Sequence, residues 1–340
     1  MATRRGFLVS LAAALTVPRL TWADAGSPAF LAAAKRGQDF VLCGLGADGR
    51  MIFSIPLPAR GHAAAAHPIR PESVAFARRP GTFALVIDCA QGAVAHRLTP
   101  PEGRQFNGHG AFSADGALLY TSEVVAETSE GRLGVWDAAR AYARIDEWPS
   151  GGIGPHELRR MQDGALVIAN GGIQTDPSDR RKLNIETMQP NLTYLSTDGT
   201  VLDRVQLHPD LHQLSIRHLA LGPDGAVACA LQWEGDPALS APLLALHRRG
   251  NAVQMCPPPE TEAWAMKGYA GSIAWSGGRI ALTSPPGGVV QVFDEAGHST
   301  ETLRRSGASG VAPAAGGLVP TGGRGAISRL GPGGPAPLQR

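Results

Sequence analysis

The string GHGAFSADG fills residues 108–116, and its pattern returns along the chain. In most copies a histidine follows a small or rigid residue and leads a short apolar run that ends in an Asp-Gly turn. His62, His109 and His156 lie 47 residues apart, and His218 follows after an insertion. Short strands and Gly turns that repeat every 40 to 50 residues or so are typical of β-propeller blades. Because one register of each innermost strand converges on the propeller axis, the repeat predicts a cluster of imidazoles there.

The composition favours one all-β domain. The chain has 340 residues, with 43 Gly, 27 Pro and 6% aromatic residues. Short strands divided by Gly, Pro and Asp-Gly pairs favour a single propeller over two α/β domains. We expect a β-propeller of seven four-stranded blades, with six as the alternative, over residues 29–331, and a flexible Gly/Pro tail at residues 332–340. A net charge of +2 argues against a nucleic-acid partner, and we expect a monomer.

The histidines set the expected blade limits, because each is taken as the start of an innermost strand. The successive blades are predicted at residues 62–98, 109–148, 156–208, 218–256 and 271–303. In the last of these, SIAW at residues 272–275 takes the place of a histidine-led strand. Residues 40–57 supply two or three strands, which are expected to complete the ring by pairing with strands from the C-terminal residues 309–330. The propeller is thus predicted to be closed by strands from both termini.

Propeller connectivity assigns the histidines to one face, together with the ends of the second strands. The long insertion Gly171–Asn191 is expected to leave from the same face and to reach the axial mouth. Loops longer than about 12 residues in compact domains are usually functional or disordered. All chemically interesting residues are therefore expected on this face.

The first 25 residues have the pattern of a twin-arginine export signal. Arg4 and Arg5 precede an apolar run over residues 7–17, and Ala23-Asp24-Ala25 resembles a cleavage site. The run ends at Pro18-Arg19, too short for a membrane anchor of roughly 20 residues. We therefore expect a cleaved signal, a periplasmic protein and no stable membrane anchor. Twin-arginine substrates cross the membrane already folded, often with a cofactor loaded, which favours a metal site.

The candidate metal ligands are His62, His109, His156 and His218, with His212 as either a fifth ligand or a surface residue. Neutral imidazoles aimed at one centre bind divalent transition metals, and a nitrogen-rich site suits iron or copper. The alternative is that these histidines cap strand starts by bonding to backbone groups. In that case a repeated partner, such as an Asp at constant offset, would be expected, and the sequence has none.

Three further residues are candidates for binding a cofactor or ligand: Glu123, Asn170 and Arg217. Glu123 ends a predicted second strand and could orient an imidazole or act as a general base. Asn170 precedes two glycines, so a tight turn is its alternative role. Arg217, like the pair Arg78-Arg79, could attract an anion such as a carboxylate siderophore. For Glu157 we favour a contact between blades over a role at the site.

Four strings resemble a bacterial family known as domain of unknown function 1513. They are GHGAFSADG at residues 108–116, GGIGPHEL at 151–158, MQPNL at 188–192 and LSIRHLA at 214–220. The resemblance covers about residues 38 to 330. It implies a periplasmic propeller of the quinoprotein-like and WD40-like class, encoded near imelysin-type and dihaem oxidoreductase-type proteins of iron uptake. Asp176 and Ser309 depart from the family pattern, which has His and Cys there.

Together these features predict a periplasmic propeller that binds a transition metal, or a metal-bearing ligand, at an axial histidine cluster and serves iron acquisition. One alternative is a scaffold that docks an imelysin-type or dihaem-type partner through the insertion-bearing face. Another is a metal-dependent redox or hydrolytic enzyme, although the sequence has no GxSxG, phosphate-loop or HExxH motif. Cys43, Cys89, Cys229 and Cys256 lack CxxC spacing, and the alternatives for them are buried free thiols or one disulfide.

Overall fold

The computed structural model describes residues 20–78, 83–179, 181–331 and 334–339. The twin arginines and the apolar run of the predicted export signal lie outside these residues. Trp22, which precedes the predicted cleavage site, and Ala25, its last residue, are described. The indole Nε1 of Trp22 donates to the His67 carbonyl at 2.9 Å, and Ala25 is buried. Within the described part of the chain, no helix has the length and apolarity needed to cross a membrane.

The strands form seven antiparallel sheets, numbered here as blades 1 to 7 from the N-terminus. Blade 1 consists of β1 (Phe30–Arg36), β2 (Asp39–Leu45) and β3 (Met51–Leu57). Blade 2 consists of β4 (Gly61–Ala66), β5 (Glu72–Ala77), β6 (Ala84–Asp88) and β7 (Ala93–Leu98). Blade 3 consists of β8 (Arg104–Phe112), β9 (Leu118–Val125), β10 (Glu130–Asp137) and β11 (Ala143–Ile153). Blade 4 consists of β12 (Pro155–Arg160), β13 (Leu166–Asn170), β14 (Asn191–Leu195) and β15 (Val201–Gln206).

The remaining three blades follow the same order. Blade 5 consists of β16 (Leu214–Leu221), β17 (Ala226–Trp233), β18 (Leu244–Arg248) and β19 (Gln254–Met255). Blade 6 consists of β20 (Ser272–Ser276), β21 (Arg279–Ser284), β22 (Val289–Asp294) and β23 (Ser299–Arg304). Blade 7 consists of β24 (Ala308–Ala314), β25 (Gly317–Gly322), β26 (Ile327–Gly331) and β27 (Gly334–Gln339). One short helix, α1 (Glu260–Ala265), and 3-10 turns at Ile185–Thr187, Pro209–Leu211 and Pro223–Gly225 complete the secondary structure of the described residues.

Burial increases from the outer strand of a blade to its middle strands. Every residue of β13 and β14 is buried, whereas β15 at the outer edge is mostly exposed. The middle strands are apolar because adjoining blades cover both of their faces. Leu158 and Ile168 of blade 4, for example, pack with Leu133 and Val135 of blade 3. This packing holds the innermost strands side by side around the axis.

The expected seven blades are confirmed, but the ring closes differently from the prediction. The N-terminal strands form the three-stranded blade 1, and the C-terminal strands form blade 7 by themselves; among the described residues no strand ladder joins the two sheets. Closure comes from side-chain packing, in which Val41 and Cys43 of blade 1 contact Val319 and Ile327 of blade 7. Apolar packing between blades 1 and 7 thus replaces the expected pairing of N-terminal with C-terminal strands.

The C-terminal residues also differ from the sequence-based expectation. Residues 334–339, expected to lie in a flexible tail, form β27 and pair with β26. Prolines are tolerated at this position because an edge strand has one side without ladder hydrogen bonds. All four cysteines are buried free thiols.

The insertion in blade 4 packs back onto the histidine face. Thr175 N donates to Ser129 Oγ at 3.0 Å, and Asn184 Nδ2 donates to the Gly172 carbonyl at 2.9 Å. An ion pair joins Lys182 to Glu234, which follows β17. These contacts tie the insertion to blades 3 and 5, on the side of the ring predicted to bear the functional residues.

Candidate metal centre

The four repeat histidines meet at the axis. They lie on β4, β8, β12 and β16, the innermost strands of blades 2 to 5. The ring centroids are 4.8 Å apart for His62 and His109, 4.6 Å for His109 and His156, and 4.7 Å for His156 and His218. The widest separation, from His62 to His218, is 6.5 Å. The axial convergence expected from the 47-residue spacing is therefore present.

A β-bulge accompanies each of these histidines. The pairing of innermost and second strands shifts register between Gly61 and Ala64, Phe106 and Gly110, Pro155 and Leu158, and Ile216 and His218. A bulge leaves residues without a ladder partner and turns their side chains out of the normal alternation. Contrary to the sequence-based expectation, His109 and His218 lie well inside their strands, because β8 begins at Arg104 and β16 at Leu214. His62, His109 and His156 lie inside their bulges, whereas His218 directly follows its bulge and pairs with Ala230.

The same bulge occurs without a histidine in blade 7. There the register shifts between Ala308 and Gly310, and Ser309 is the residue inside the bulge. Its Oγ donates to the Thr321 carbonyl at 3.4 Å. The innermost pairs of blades 1 and 6 have no register shift. The histidines thus occupy one continuous arc of the ring.

Three of the imidazoles have the spacing of a metal site. The ligand nitrogens of His62, His109 and His156 all lie within 4.8 Å of one another, and the Nε2 atoms of His62 and His109 are 3.1 Å apart. With metal–nitrogen distances of about 2.0–2.1 Å, two ligands of one ion are at most about 4.2 Å apart. One ion can therefore bind after an inward movement of about half an ångström.

Burial gives the site one open side and two enclosed ligands. His109 and His156 are buried, whereas His62 is exposed. The His156 Nδ1 is buried and has no hydrogen-bond partner among the described residues, which suits a metal ligand because a buried, unpaired nitrogen is otherwise costly. Burial, with His62 beside His109 and Arg217 beside His156, lowers the pKa of both imidazoles well below the ordinary value. Both are neutral at pH 7, the form that binds metals.

Glu157 fixes the fourth histidine. One of its oxygens, Oε2, accepts hydrogen bonds from His218 Nδ1 at 3.0 Å and from the Leu219 backbone N at 3.2 Å, and Arg159 pairs with Oε1 at 2.6 Å. Burial would raise the pKa of Glu157, but Arg159 and His218 hold it well below the usual range. The carboxylate therefore keeps the proton of His218 on Nδ1 and leaves the lone pair on Nε2, as in carboxylate–histidine–metal sites.

The model of one protein family, described as "Protein of unknown function (DUF1513)", matches residues 55–339. The chain belongs to this family. The match includes the four axial histidines and Glu157. A search of curated proteins gives no match.

Of the other predicted site residues in this DUF1513 chain, Arg217 lies near His156, whose pKa it lowers, and His212 lies outside the group of ligand nitrogens found among the described residues. Arg217 falls within the bulge that precedes His218, and a Cβ added to Gly171 would lie 3.1 Å from its guanidinium. His212 precedes β16, and its Nδ1 lies 2.9 Å from the Pro209 carbonyl. It is not part of the group of ligand nitrogens among the described residues.

Glu123 and Asn170 have structural partners. Glu123 Oε1 accepts hydrogen bonds from Arg144 at 2.7 Å and Thr121 at 2.6 Å inside blade 3, and no histidine is among its described partners. Asn170 is fully buried and donates to the Ser150 carbonyl at 2.9 Å and to Asn191 Oδ1 at 2.9 Å. Neither the base expected of Glu123 nor the turn expected of Asn170 is seen. Glu123 joins β9 to β11 inside blade 3, and Asn170 joins β13 to β14 and to β11 of blade 3.

Three residues of the DUF1513 centre have roles that the sequence did not reveal. Glu157 is the contact between blades that we expected, yet it also orients His218. Asn107 lies in the bulge of His109, and its Nδ2 donates to the Pro155 carbonyl. Gly108, in the same bulge, has a φ of +99°. The Gly before His109 was visible in the sequence, but only the structure shows that the bulge requires it.

Glu157→Gln should weaken metal binding by about 10- to 100-fold, because changes to a carboxylate that orients a ligating imidazole typically cost that much. The matched control is Glu123→Gln, which changes the other buried, arginine-paired glutamate of the described residues. Titration of both variants with Cu²⁺, followed by absorbance, compares them. Equal losses in the two variants would contradict the role assigned to Glu157.

Gly108→Ala should both destabilise the protein and displace His62. The φ of +99° disfavours alanine, and the new Cβ would lie 2.5 Å from His62 Cδ2. We expect a loss of about 1–3 kcal/mol in the free energy of unfolding, together with weaker metal binding. Gly250→Ala is the control, because Gly250 has a φ of +83° and nothing within 4 Å of an added Cβ. Urea denaturation and metal titration should show the binding defect in Gly108→Ala alone.

Proposed function

We propose that this protein binds one transition-metal ion, iron or copper, at the axial centre formed by His62, His109, His156 and His218. The observation that carries the proposal is the placement of three ligand nitrogens within 4.8 Å of one another. Two observations support it: the buried Nδ1 of His156 has no hydrogen-bond partner in the described part of the chain, and Glu157 bonds to His218. Nitrogen donors favour these metals over Mg²⁺ or Ca²⁺, which prefer oxygen.

The biological role that we propose is metal acquisition outside the cytoplasm, with iron as the leading candidate. The twin-arginine pattern at residues 4–5 supports export of the folded protein to the periplasm. An open side at His62 supports exchange of the ion, because a closed structural site would enclose all of its ligands. Imelysin-type or dihaem-type periplasmic proteins are the partners that we propose for delivery or uptake.

Metal titration of the chelator-treated protein tests the proposal. Isothermal titration with Cu²⁺, and anaerobically with Fe²⁺, should give one ion per chain. At a free concentration 100 times the Kd, the ion should add about 2.7 kcal/mol to the free energy of unfolding, because it binds only the folded ring. A chain that retains neither ion and melts at the same temperature with and without them would contradict the proposed function.

A further inference from the structure

A cavity of about 240 Å³ lies between the end of β17 and the helix α1, away from the histidine centre. The large apolar residues that line it are Trp233, Pro237, Leu239 and Trp264. Trp233 lies three residues along β17 from Ala230, which pairs with His218. At about 3.3 Å per residue, roughly 10 Å of strand separates the cavity from the histidines. The cavity is therefore a second candidate site.

Hydrogen bonds hold both walls of this cavity in place. The backbone N of Trp233 donates to the Gly268 carbonyl at 2.8 Å, and its Nε1 donates to the Asp236 carbonyl at 2.9 Å. On the other side, Gln291 Nε2 donates to the Glu262 carbonyl of α1 at 2.8 Å. The indole N–H of Trp233 is thus already bonded within the protein, and the ring offers a ligand an apolar surface. A cavity formed in advance binds a ligand without the cost of ordering its walls.

The size and the exposed residues of the cavity suit a single aromatic ring. Trp264 is 44% exposed and Leu239 is 58% exposed, and large apolar residues that are exposed together mark binding sites. An apolar cavity of about 150 Å³ holds benzene, so this cavity has room for one ring and a small substituent. Aromatic side chains such as tryptophan bind planar rings by stacked or edge-to-face contacts.

The charge of the cavity lining is positive. Among the described residues that line the cavity, Lys267 alone is charged, and it is exposed without an ion-pair partner. The two acidic residues of the adjoining loop bond elsewhere: Glu234 pairs with Lys182, and Asp236 accepts from the backbone N of Ala238 at 2.8 Å. The substituent that this lining favours is therefore an anionic one.

The backbone at Lys267 also favours a role in binding. Lys267 directly follows Met266, the C-terminal cap of α1, and has a φ of +50°. The left-handed position after a helix is usually filled by glycine or asparagine, because other side chains are strained there. Strained residues concentrate at binding and active sites. A lysine at this position is unfavourable for the helix end, but it places a positive charge beside the two tryptophans.

We propose that this cavity binds a planar aromatic carboxylate. The ring of the ligand packs against Trp233 and Trp264, and its carboxylate pairs with Lys267. The site does not depend on the histidine centre, because no residue of that centre lines the cavity.

The test uses the full protein and two probes of the same shape, benzoate and its neutral analogue benzamide. Calorimetric titration and ligand-observed NMR measure their affinities. We expect benzoate to bind about 2- to 5-fold more tightly than benzamide, the range for one exposed ion pair. Acetate, which has the charge but no ring, should not bind at the same concentration. Equal affinities for benzoate and benzamide, or no binding of either at millimolar concentration, would overturn the inference.

Two variants locate the binding in the cavity. Lys267→Met should remove the preference for benzoate without changing the affinity for benzamide, and Trp264→Ala should weaken both probes by about 2- to 10-fold. The matched controls are Lys35→Met, at an exposed lysine of β1, and Leu202→Ala, at a 47% exposed residue of β15.

Both control variants should bind the probes like the wild type. Equal effects in the cavity variants and the controls would contradict the site. A dimer that Trp264→Ala dissociates would show that a second copy of the chain covers the cavity, which would also overturn the inference. Because neither probe carries a metal, these outcomes are separate from those of the metal titration.

Discussion

Replacement of both His109 and His156 by alanine should reduce the affinity for Cu²⁺ and Fe²⁺ by more than about 100-fold, since loss of direct ligands exceeds the 10- to 100-fold cost of disturbing the groups that orient them. These two imidazoles are the enclosed members of the ligand group, and each lies within 5 Å or so of two other rings. The two histidines left in the variant are His62, which is exposed, and His218, and their ring centroids are 6.5 Å apart. The variant therefore keeps two of the four imidazoles and loses both enclosed ligands.

The control for this variant removes the same number of histidines from the surface. His208 and His298 have side chains that are 70% and 79% exposed, and the double alanine variant should bind metal like the wild type. Elemental analysis after desalting, with calorimetric titration, measures the metal in all three proteins. Circular dichroism establishes that each is folded. Equal metal content in the two double variants would show that surface histidines, not the axis, account for binding.

The sequence predicted the repeat better than the backbone details that aim the side chains. The 47-residue spacing of His62, His109 and His156 was sufficient to predict their convergence, because a propeller repeats its geometry with its sequence. The bulges were not visible, since a bulge depends on how two strands pair and not on one strand's residues. For that reason the strand starts in blades 3 and 5 were placed too late.

Glu123 shows why a residue on the correct rim can point away from the site. It follows Ser122, whose Oγ accepts from the backbone N of His109 at 3.2 Å. Successive residues of a strand point to opposite faces of the sheet. The side chain of Glu123 therefore points away from His109 and bonds to Arg144. Glu157 shows the reverse. It follows His156 in sequence, yet it faces the next blade, where His218 lies; its partner could be identified only once both blades were placed.

The free energy of unfolding of the metal-free protein should fall steeply as the pH drops below about 6.5. His67 illustrates the cause. Its Nδ1 accepts backbone hydrogen bonds from Ile69 at 3.1 Å and Arg70 at 2.9 Å, and its Nε2 donates to the Gly116 carbonyl at 3.1 Å. A second proton would have to sit on Nδ1, facing two donors. Burial, with Arg70 nearby, accordingly lowers the pKa of His67.

Three other buried histidines act in the same direction. Burial lowers the pKa of His109, His156 and His247. Because the folded pKa lies below the unfolded value of about 6.5 in each case, the unfolded chain takes up protons first. The stabilisation is complete above that pH and is lost as the pH falls toward the folded pKa. Each histidine contributes a slope of up to about 1.4 kcal/mol per pH unit, so the four together contribute at most about 5.6 kcal/mol per pH unit.

Urea denaturation at pH 7.5, 6.0 and 5.0, followed by tryptophan fluorescence in the presence of a chelator, measures this slope. His67→Gln should be less stable than the wild type at pH 7.5, because the backbone N–H groups of Ile69 and Arg70 lose their acceptor. The dependence of its free energy of unfolding on pH should be smaller by the contribution of one histidine. In His109→Ala/His156→Ala the dependence of the free energy of unfolding on pH should be smaller by the contribution of two histidines. A stability that stays constant between pH 7.5 and 5.0 would mean that the buried imidazoles accept protons without opening the ring. It would also remove the reason to regard His109 and His156 as neutral ligands, because a charged imidazole cannot bind a metal.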